Sequence, residues 1–414
     1  MPRSRLVSVP FAYSAVRADT ASYVLESNGW IDDGDVVRLD NVDNSVGIGT
    51  SNPVEKLHVN GNIFISGKAN IGANNTNVGS YAFVAGTNNS AMGAGSNISG
   101  GQSNTATQNY TTIGGGFGNG AGEYYSTVSG GEYNSAASAW SAIGGGCGNG
   151  ISGNYGIISG GFDNYIAAEY GAINGGYDNE VLGGYSVIPG GHYNKIDCEH
   201  SAILGGLRNE IYYNYGTICG GDSNTIYNTY STIGGGHKNW AGGPWNGAYA
   251  TVPGGAYNRA EGNFTFAAGR KAIAYHHGSF VWADHTDSNF TTTAEKQFLI
   301  RANGGVGINT NSPNSDLHVE GSIAGRVVIE SGDYTVSDND HIILMSATSS
   351  ANLYIPSASG RTGRIYIIKV IGFGGSVNII PYGGELIDDQ TSHTIGWKDS
   401  MYIISDGNNW WKIN

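Results

Sequence analysis

Cysteine is nearly missing from this chain, with three in 414 residues, Cys147, Cys198 and Cys219. So low a count excludes a disulfide framework. The three also fall in different columns of the repeat described below, so no two can stack at bridging distance within one chain, and free thiols are expected. Proline supplies only nine residues, and glycine does not fall at every third position, which excludes a collagen triple helix. Charged residues make up 13% of the chain, and 20 Lys and Arg against 33 Asp and Glu leave a net charge of −13. That balance argues against a basic face for a phosphate backbone, so no nucleic-acid partner is expected. No apolar run approaches the ~20 residues of a membrane helix, so no membrane insertion is expected. Met1-Pro-Arg-Ser-Arg5 is not followed by a signal-peptide core. Export by another route, or a leader lying outside this sequence, is the expectation, with an extracellular, cell-surface or virion location.

Glycine is abundant instead, at 68 residues, and 39% of the chain is hydrophobic with 26 Tyr, so the composition is not that of a disordered chain. The glycines are periodic. An aliphatic residue recurs every fifteen positions at Ile98, Ile113, Val128, Ile143, Ile158, Ile173, Ile188, Ile203, Ile218 and Ile233, and again, after nineteen, at Val252. With this residue as position zero, positions two and three are Gly-Gly in every copy, as in Gly115-Gly116, Gly160-Gly161 and Gly175-Gly176. Position six is always Asn, as in Asn119, Asn164 and Asn179, and position eight is always Ala, Val or Ile. Three residues before zero stands Tyr, Trp or His in ten of the eleven copies, as at Tyr155, Tyr170 and Trp140.

Two inward aliphatic residues in fifteen suit one coil of a parallel β-solenoid, whereas helical repeats need about 33 residues and tolerate little glycine. The Gly pair is expected to make a corner requiring positive φ, and Asn both to tolerate left-handed geometry and to bond the Asn one coil away. So thin a core predicts self-association. The aromatic column alternates with position zero and therefore points away from the core. It either cements a trimer or forms a sugar-stacking surface.

Two matching segments bracket the repeat: Val46-Gly-Ile-Gly-Thr50 with Leu57-His-Val59, and Val306-Gly-Ile-Asn-Thr310 with Leu317-His-Val319. Asn52-Pro53 and Ser312-Pro313 read as turns between short strands. Arg5 to Pro10 reads as extended, and Ala12 to Leu25 as a possible short helix. Downstream, Ile342–Leu344, Leu353–Ile355, Ile365–Ile368, Val377–Ile380 and Met401–Ile404 read as strands of a separate β domain. The expected organisation is an N-terminal attachment segment over 1–45, a connector over 46–79, the solenoid over 80–275, a neck and second connector over 276–325, and a C-terminal tip domain over 326–414.

The glycine-rich coils and Phe266-Ala-Ala-Gly-Arg-Lys-Ala272 resemble the head of trimeric autotransporter adhesins, which are left-handed parallel β-rolls. Val46–Thr50 with Leu57–Val59 resembles a connector common in phage tail fibres and bacterial surface proteins. Leu6–Ala12 and Gly278–Asp284 are similar to segments of those surface proteins, and the C-terminal domain resembles small tail-fibre tip domains. The resemblance implies an all-β homotrimeric parallel β-solenoid, a β-roll with fifteen-residue coils and a small C-terminal β domain. It implies a non-enzymatic attachment fibre that engages a host or cell-surface receptor, a glycan or a protein. No long heptad stalk or C-terminal membrane β-barrel is read, so an anchoring partner is expected to hold the N-terminal segment.

Candidate chemistry is sparse. Asp163 and Asp178 share position five of adjacent coils, a spacing that a retaining glycosidase pair could use but that a solvated turn explains as well. That alternative, a glycan-cleaving spike, stays open beside a purely structural extracellular filament subunit. Glu180, Lys195 and Glu210 form an alternating ladder suited to neighbouring strands. His276, His277, Asp284, His285 and Asp287 match no zinc spacing, so neither metal nor cofactor is expected. The Gly pairs lack the Gly-Lys-Ser/Thr of a phosphate loop, and the Thr of position minus one is interrupted, unlike an ice-binding array. Trp240 and Trp245 flank the four-residue lengthening of the last period. They suggest either a binding loop or a cap on the end of the core. Trp410 and Trp411 are further binding candidates at the presumed tip.

Overall fold

The computed structural model describes residues 30–32, 37–39, 45–243 and 248–413. The possible helix over Ala12–Leu25, the extended Arg5–Pro10, the anchoring segment and Trp245 lie outside the described residues. Among those described the chain is all-β, with one short 3₁₀ turn at Tyr382–Gly384. It forms two compact units, one ending at Arg301 and the other spanning Ala302–Asn414.

The first unit is a parallel β-solenoid. Each coil puts residues minus one and zero into one ladder and residues seven and eight into another, as Thr112–Ile113 pairs with Thr127–Val128 and Gly120–Ala121 with Ser135–Ala136. Position four adds a third line of single bridges, from Thr87 through Phe117 and Tyr177 to Ala256. Ile113, Ile158 and their equivalents are fully buried, as are the residues of column eight. A third inward column, two residues before zero, is made of Ser, Thr, Gly or Ala, such as Ser126, Ser141 and Thr111. Small residues here let the opposite corner close over a narrow core.

The solenoid is longer than its repeat. Ladder strands begin at Ala69–Ala73 and run to Phe298–Arg301, not from 80 to 275. The added coils have other lengths: Ala69 pairs with Phe83, Phe83 with Asn97, Phe266 with Phe280, and Phe280 with Phe298. Backbone pairing fixes a coil only where its strand lies, so loops of different length can join successive rungs.

Asn at position six is the polar centre of each coil. Asn179 is fully buried. Its Nδ2 donates to the carbonyls of Gly175 at 3.3 Å and Gly191 at 2.8 Å and to Asn164 Oδ1 at 3.0 Å, while its own Oδ1 accepts from the Asn194 N–H at 3.2 Å. Asn164 repeats the arrangement, and Asn119 repeats its glycine and acceptor bonds, meeting Asn104 Oδ1 through its backbone N–H instead. The expected Asn-to-Asn bond is present, but Asn itself is not left-handed. The residue before it is, from Ser103 to Tyr257, with Asp163 at φ 52° and Asp178 at 51°.

The corner belongs to the second glycine of every pair, while only six of the eleven first glycines, Gly115, Gly145, Gly205, Gly220, Gly235 and Gly254, have positive φ, at 139–157°. Gly176 has φ 96°, and a Cβ there would lie 2.2 Å from the Gly191 carbonyl oxygen. Gly175, expected to need the same conformation, does not have it, and a Cβ there would meet nothing within 4 Å. Gly161 and Gly116 behave as Gly176 does, at φ 97° and 94°. A Cβ on the first glycine would have open space in Gly100, Gly130, Gly160, Gly175 and Gly190, none of which has positive φ.

The connectors are short parallel pairs in the same register, Val46–Ile48 with Leu57–Val59 and Val306–Ile308 with Leu317–Val319. Both close with the same bonds, Val46 N–H to Lys56 O and Val306 N–H to Asp316 O. In the second unit, two sheets face each other. One orders Val327–Glu330, Ile342–Met345, Ile365–Val370, Ser400–Ser405 and Trp410–Lys412; the other orders Tyr334–Thr335, Ser350–Ile355, Ser376–Pro381 and His393–Gly396. Alternate residues such as Leu353, Ile368 and Ile379 fill the space between them. Asp340 is buried beside this core, and its Oδ2 accepts from Tyr334 Oη, Ser337 N and Ser337 Oγ at 2.8–2.9 Å. Burial alone would raise its carboxyl, but the Ser337 and Tyr334 donors and the Arg326 guanidinium hold it below the usual range.

Three outcomes are expected. Gly176→Val should lower the melting temperature sharply, while Gly175→Ala should match a surface change such as Lys195→Ala; equal loss from both glycines would refute the corner assignment. Asn179→Ala orphans several buried groups at once, so denaturant unfolding should show a loss of at least ~3 kcal/mol. Asp340 contributes stability that is present above its unfolded value of ~3.9 and lost as pH falls through its lower folded value. A melting series from pH 6 to 2 should therefore show acid loss from the second unit, and Asp340→Asn should flatten it.

Candidate functional site

The outer columns of the solenoid carry the chemistry. The first is aromatic: Tyr110, Tyr125, Trp140, Tyr155, Tyr170, Tyr185, His200, Tyr215, Tyr230, Tyr249 and Phe264. These residues do not lie within a ladder strand, as the alternation argument assumed. They occupy a second corner, with φ between 54° and 61°. A bulky residue in that region costs roughly 1 kcal/mol or more, yet eleven successive coils place a ring there. Neighbouring rings lie 4.6–5.7 Å apart and within 14° of parallel, so they form one continuous stack. Stacking of this kind contributes about 0.5–1.5 kcal/mol per pair, enough to offset the backbone cost. The outer faces and edges stay open, from 39% exposure at Tyr155 to 67% at Phe264.

A different face, near the end of the solenoid, carries a groove of ≈ 400 Å³ lined by Lys238, Trp240, Tyr257, Arg259, Lys271, Ile273, Tyr275 and Asn289. It spans four successive rungs, the last contributing Asn289 beside the Phe290 that pairs with Ala272. Trp240 pairs with Arg259 and Arg259 with Ile273 in the column-seven ladder, while Lys238, Tyr257 and Lys271 occupy the left-handed position five of those rungs. The Arg259 guanidinium lies 5.9 Å from the Trp240 ring and 5.8 Å from the Tyr275 ring, and its Nε meets Glu261 Oε1 at 2.5 Å. Lys271 pairs with Asp287 at 2.6 Å.

Trp240 is therefore a half-buried ladder residue, stacked on Tyr227 at 5.4 Å, and not part of a protruding loop. Nor does it cap the core, since the ladder continues to Arg301. Trp410 does not face solvent. It is fully buried, packs at 5.4 Å from Tyr366 and donates Nε1–H to the Pro356 carbonyl, so it is a core residue and no ligand can stack on it. Alternation places its neighbour Trp411 on the outer face, 39% exposed, with Nε1–H donated to Asp406 Oδ2 at 2.6 Å. The Asp406 carboxyl is held below its usual range by the backbone N–H groups of Asn409 and Asn408 and by that indole.

The remaining candidates are dispersed. Asp163 and Asp178 are exposed turn residues. Lys195 pairs with Glu180 at 3.6 Å and Asp197 at 3.1 Å, while Glu210 turns to Tyr212 and, as its hydrogen-bond acceptor, pushes that phenol up to about 12. His276 bonds Thr292, His277 accepts from the Asn263 N–H, Asp284 pairs with Arg301, and Asp287 with Arg270 and Lys271. Among the described residues no three His, Cys, Asp or Glu side chains are grouped to hold a metal. Cys147, Cys198 and Cys219 are free thiols, and burial pushes that of Cys198 up to about 11.

The position-five cations and Arg259 were missed by motif reading, because each coil holds only one or two of them and only the stacking of rungs joins them. Counting charge down each column of the repeat would have found them. Compared with known proteins, the chain matches no protein-family model and no curated protein.

Proposed function

We propose that this chain is a non-enzymatic, homotrimeric attachment fibre, tail-fibre-like or a surface adhesin, that binds a cell-surface receptor, a glycan in preference to a protein. The observation that carries the reading is regular apolar surface without a cover. The aromatic stack runs over eleven coils in the open. Both connectors also expose the same apolar residues, Ile48 with Ile308, Leu57 with Leu317, and Ile63 with Ile323. A pair of three-residue strands has no core of its own and is unstable alone in water. Repetition of one exposed pattern in two connectors supports copies of the same chain as the cover, meeting in parallel about one axis. The likeness of the repeat to trimeric adhesin heads supports three copies. In this reading the second unit is the receptor-facing tip, the N-terminal segment holds the anchoring partner, and the fibre works outside the cell.

Sedimentation equilibrium should give three times the chain mass of 43.2 kDa, and in rising denaturant trimer and unfolded chain with little folded monomer. A stable folded monomer would overturn the proposal. Tyr155→Ser with Tyr170→Ser should move trimer loss to lower denaturant, since each stacked pair contributes about 0.5–1.5 kcal/mol beyond its buried area. An unchanged trimer that no longer adheres to glycan would instead assign the column to sugar stacking.

A further inference from the structure

The groove at the end of the solenoid has a charge opposite to that of the chain that carries it. Three cations line it, Lys238, Arg259 and Lys271, and no carboxylate does, in a protein whose net charge is −13. Lys238 lies near the Tyr257 ring at 5.8 Å, and among the described residues no carboxylate forms an ion pair with it. Glu261 and Asp287 pair with Arg259 and Lys271 but are not among the residues that line the groove.

Arg259 is the centre of the arrangement. Its guanidinium sits by the Trp240 and Tyr275 rings, and with Nε committed to Glu261 the outer N–H groups remain for a ligand. A guanidinium held against aromatic faces keeps its in-plane donors available and loses little freedom when it binds a planar carboxylate. Trp240, Tyr257 and Tyr275 add apolar faces suited to sugar rings. The volume of ≈ 400 Å³ is that of a small-ligand pocket. The rungs fix the spacing rigidly, since the backbones of Trp240, Arg259 and Ile273 are joined by ladder pairing.

We infer that this groove binds a carboxylate-bearing sugar, so that the receptor is an acidic polysaccharide. The inference rests on the reading of the chain as an attachment fibre and names the chemistry of what it attaches to. Its residues belong to columns five, seven and nine, and none belongs to the aromatic column assigned to trimer contact. The two surfaces can therefore work at once.

The test uses the full chain and two probes, polygalacturonate as a carboxylated polysaccharide and dextran as a neutral one. Immobilised polygalacturonate should retain the protein, dextran should not, and added salt should weaken retention. Arg259→Gln should reduce retention about tenfold or more, and Arg259→Lys should restore only part of it, because the charge returns without the fork. Should Arg259→Gln disturb folding through Glu261, Lys238→Gln supplies the same measurement at an exposed residue, with an unchanged melting temperature and weaker binding expected. Failure of the native chain to bind polygalacturonate, equal binding of dextran, or full binding by the Lys238 and Arg259 variants would each overturn the site. Oligomeric state, measured on the same samples, judges the fibre reading separately: a trimer that fails these tests refutes the groove alone, and a folded monomer refutes the fibre.

Discussion

The buried amide of column six governs the rest of the first unit. Asn179 shows the pattern, its side chain touching three coils by donating to a glycine carbonyl of its own coil and another of the next and meeting the Asn of the coil before. A buried polar group without partners costs about 1–3 kcal/mol. Any slip of one coil against its neighbour would orphan several such groups at once. Register is therefore imposed by hydrogen bonding as much as by the fit of Ile158 on Ile173. The close approach this demands, with a Cβ at Gly176 only 2.2 Å from the next coil's carbonyl oxygen, explains why the second position is Gly in all eleven copies.

A core held this way is only two aliphatic residues and one small residue wide. Its length does not cure its thinness, because each coil contacts only its neighbours. Apolar area that would close a globular core is placed on the outside instead, in rings that accept an unfavourable backbone region so as to stack. The same economy recurs in the connectors, whose two-stranded pairs leave Leu57 and Leu317 open. Thin core, exposed stack and coreless connectors are three expressions of one design that leaves regular apolar surface on the outside.

Much of this was legible before any coordinates. Fifteen-residue spacing, Gly-Gly and Asn identify the coils from Ile98 to Val252, and alternation locates the strands of the second unit. Three things were not legible, each for a physical reason. Coils at the two ends keep their strands but change their loops, so Ala69–Ala73 and Phe298–Arg301 carry no Gly-Gly or Asn at the expected place. The left-handed corners fall on Tyr, Asp, Lys and Ser, residues whose identity does not announce positive φ. Trp410 and Trp411 look equivalent in sequence, but alternation in the last strand sends one inward beneath Tyr366 and the other outward. The groove was half legible: Trp240 stood out, but its partners lie one and two rungs away.

That last point separates two kinds of information in this chain. Columns zero, three, six and eight specify the solenoid and scarcely vary. Columns five, seven and nine face outward, and the ladder holds whatever stands there at fixed spacing. Column five changes from Asp163 and Asp178 in the middle of the solenoid to Arg208, Lys238 and Lys271 toward its end, with no change in the backbone that carries them, since all five residues have φ of 51–56°. Surface charge can thus be altered coil by coil without disturbing the core. A basic groove on an acidic chain needs only a few substitutions in adjacent copies, placed where stacking brings them together. A repetitive fold can in this way acquire a specific site without acquiring a new shape.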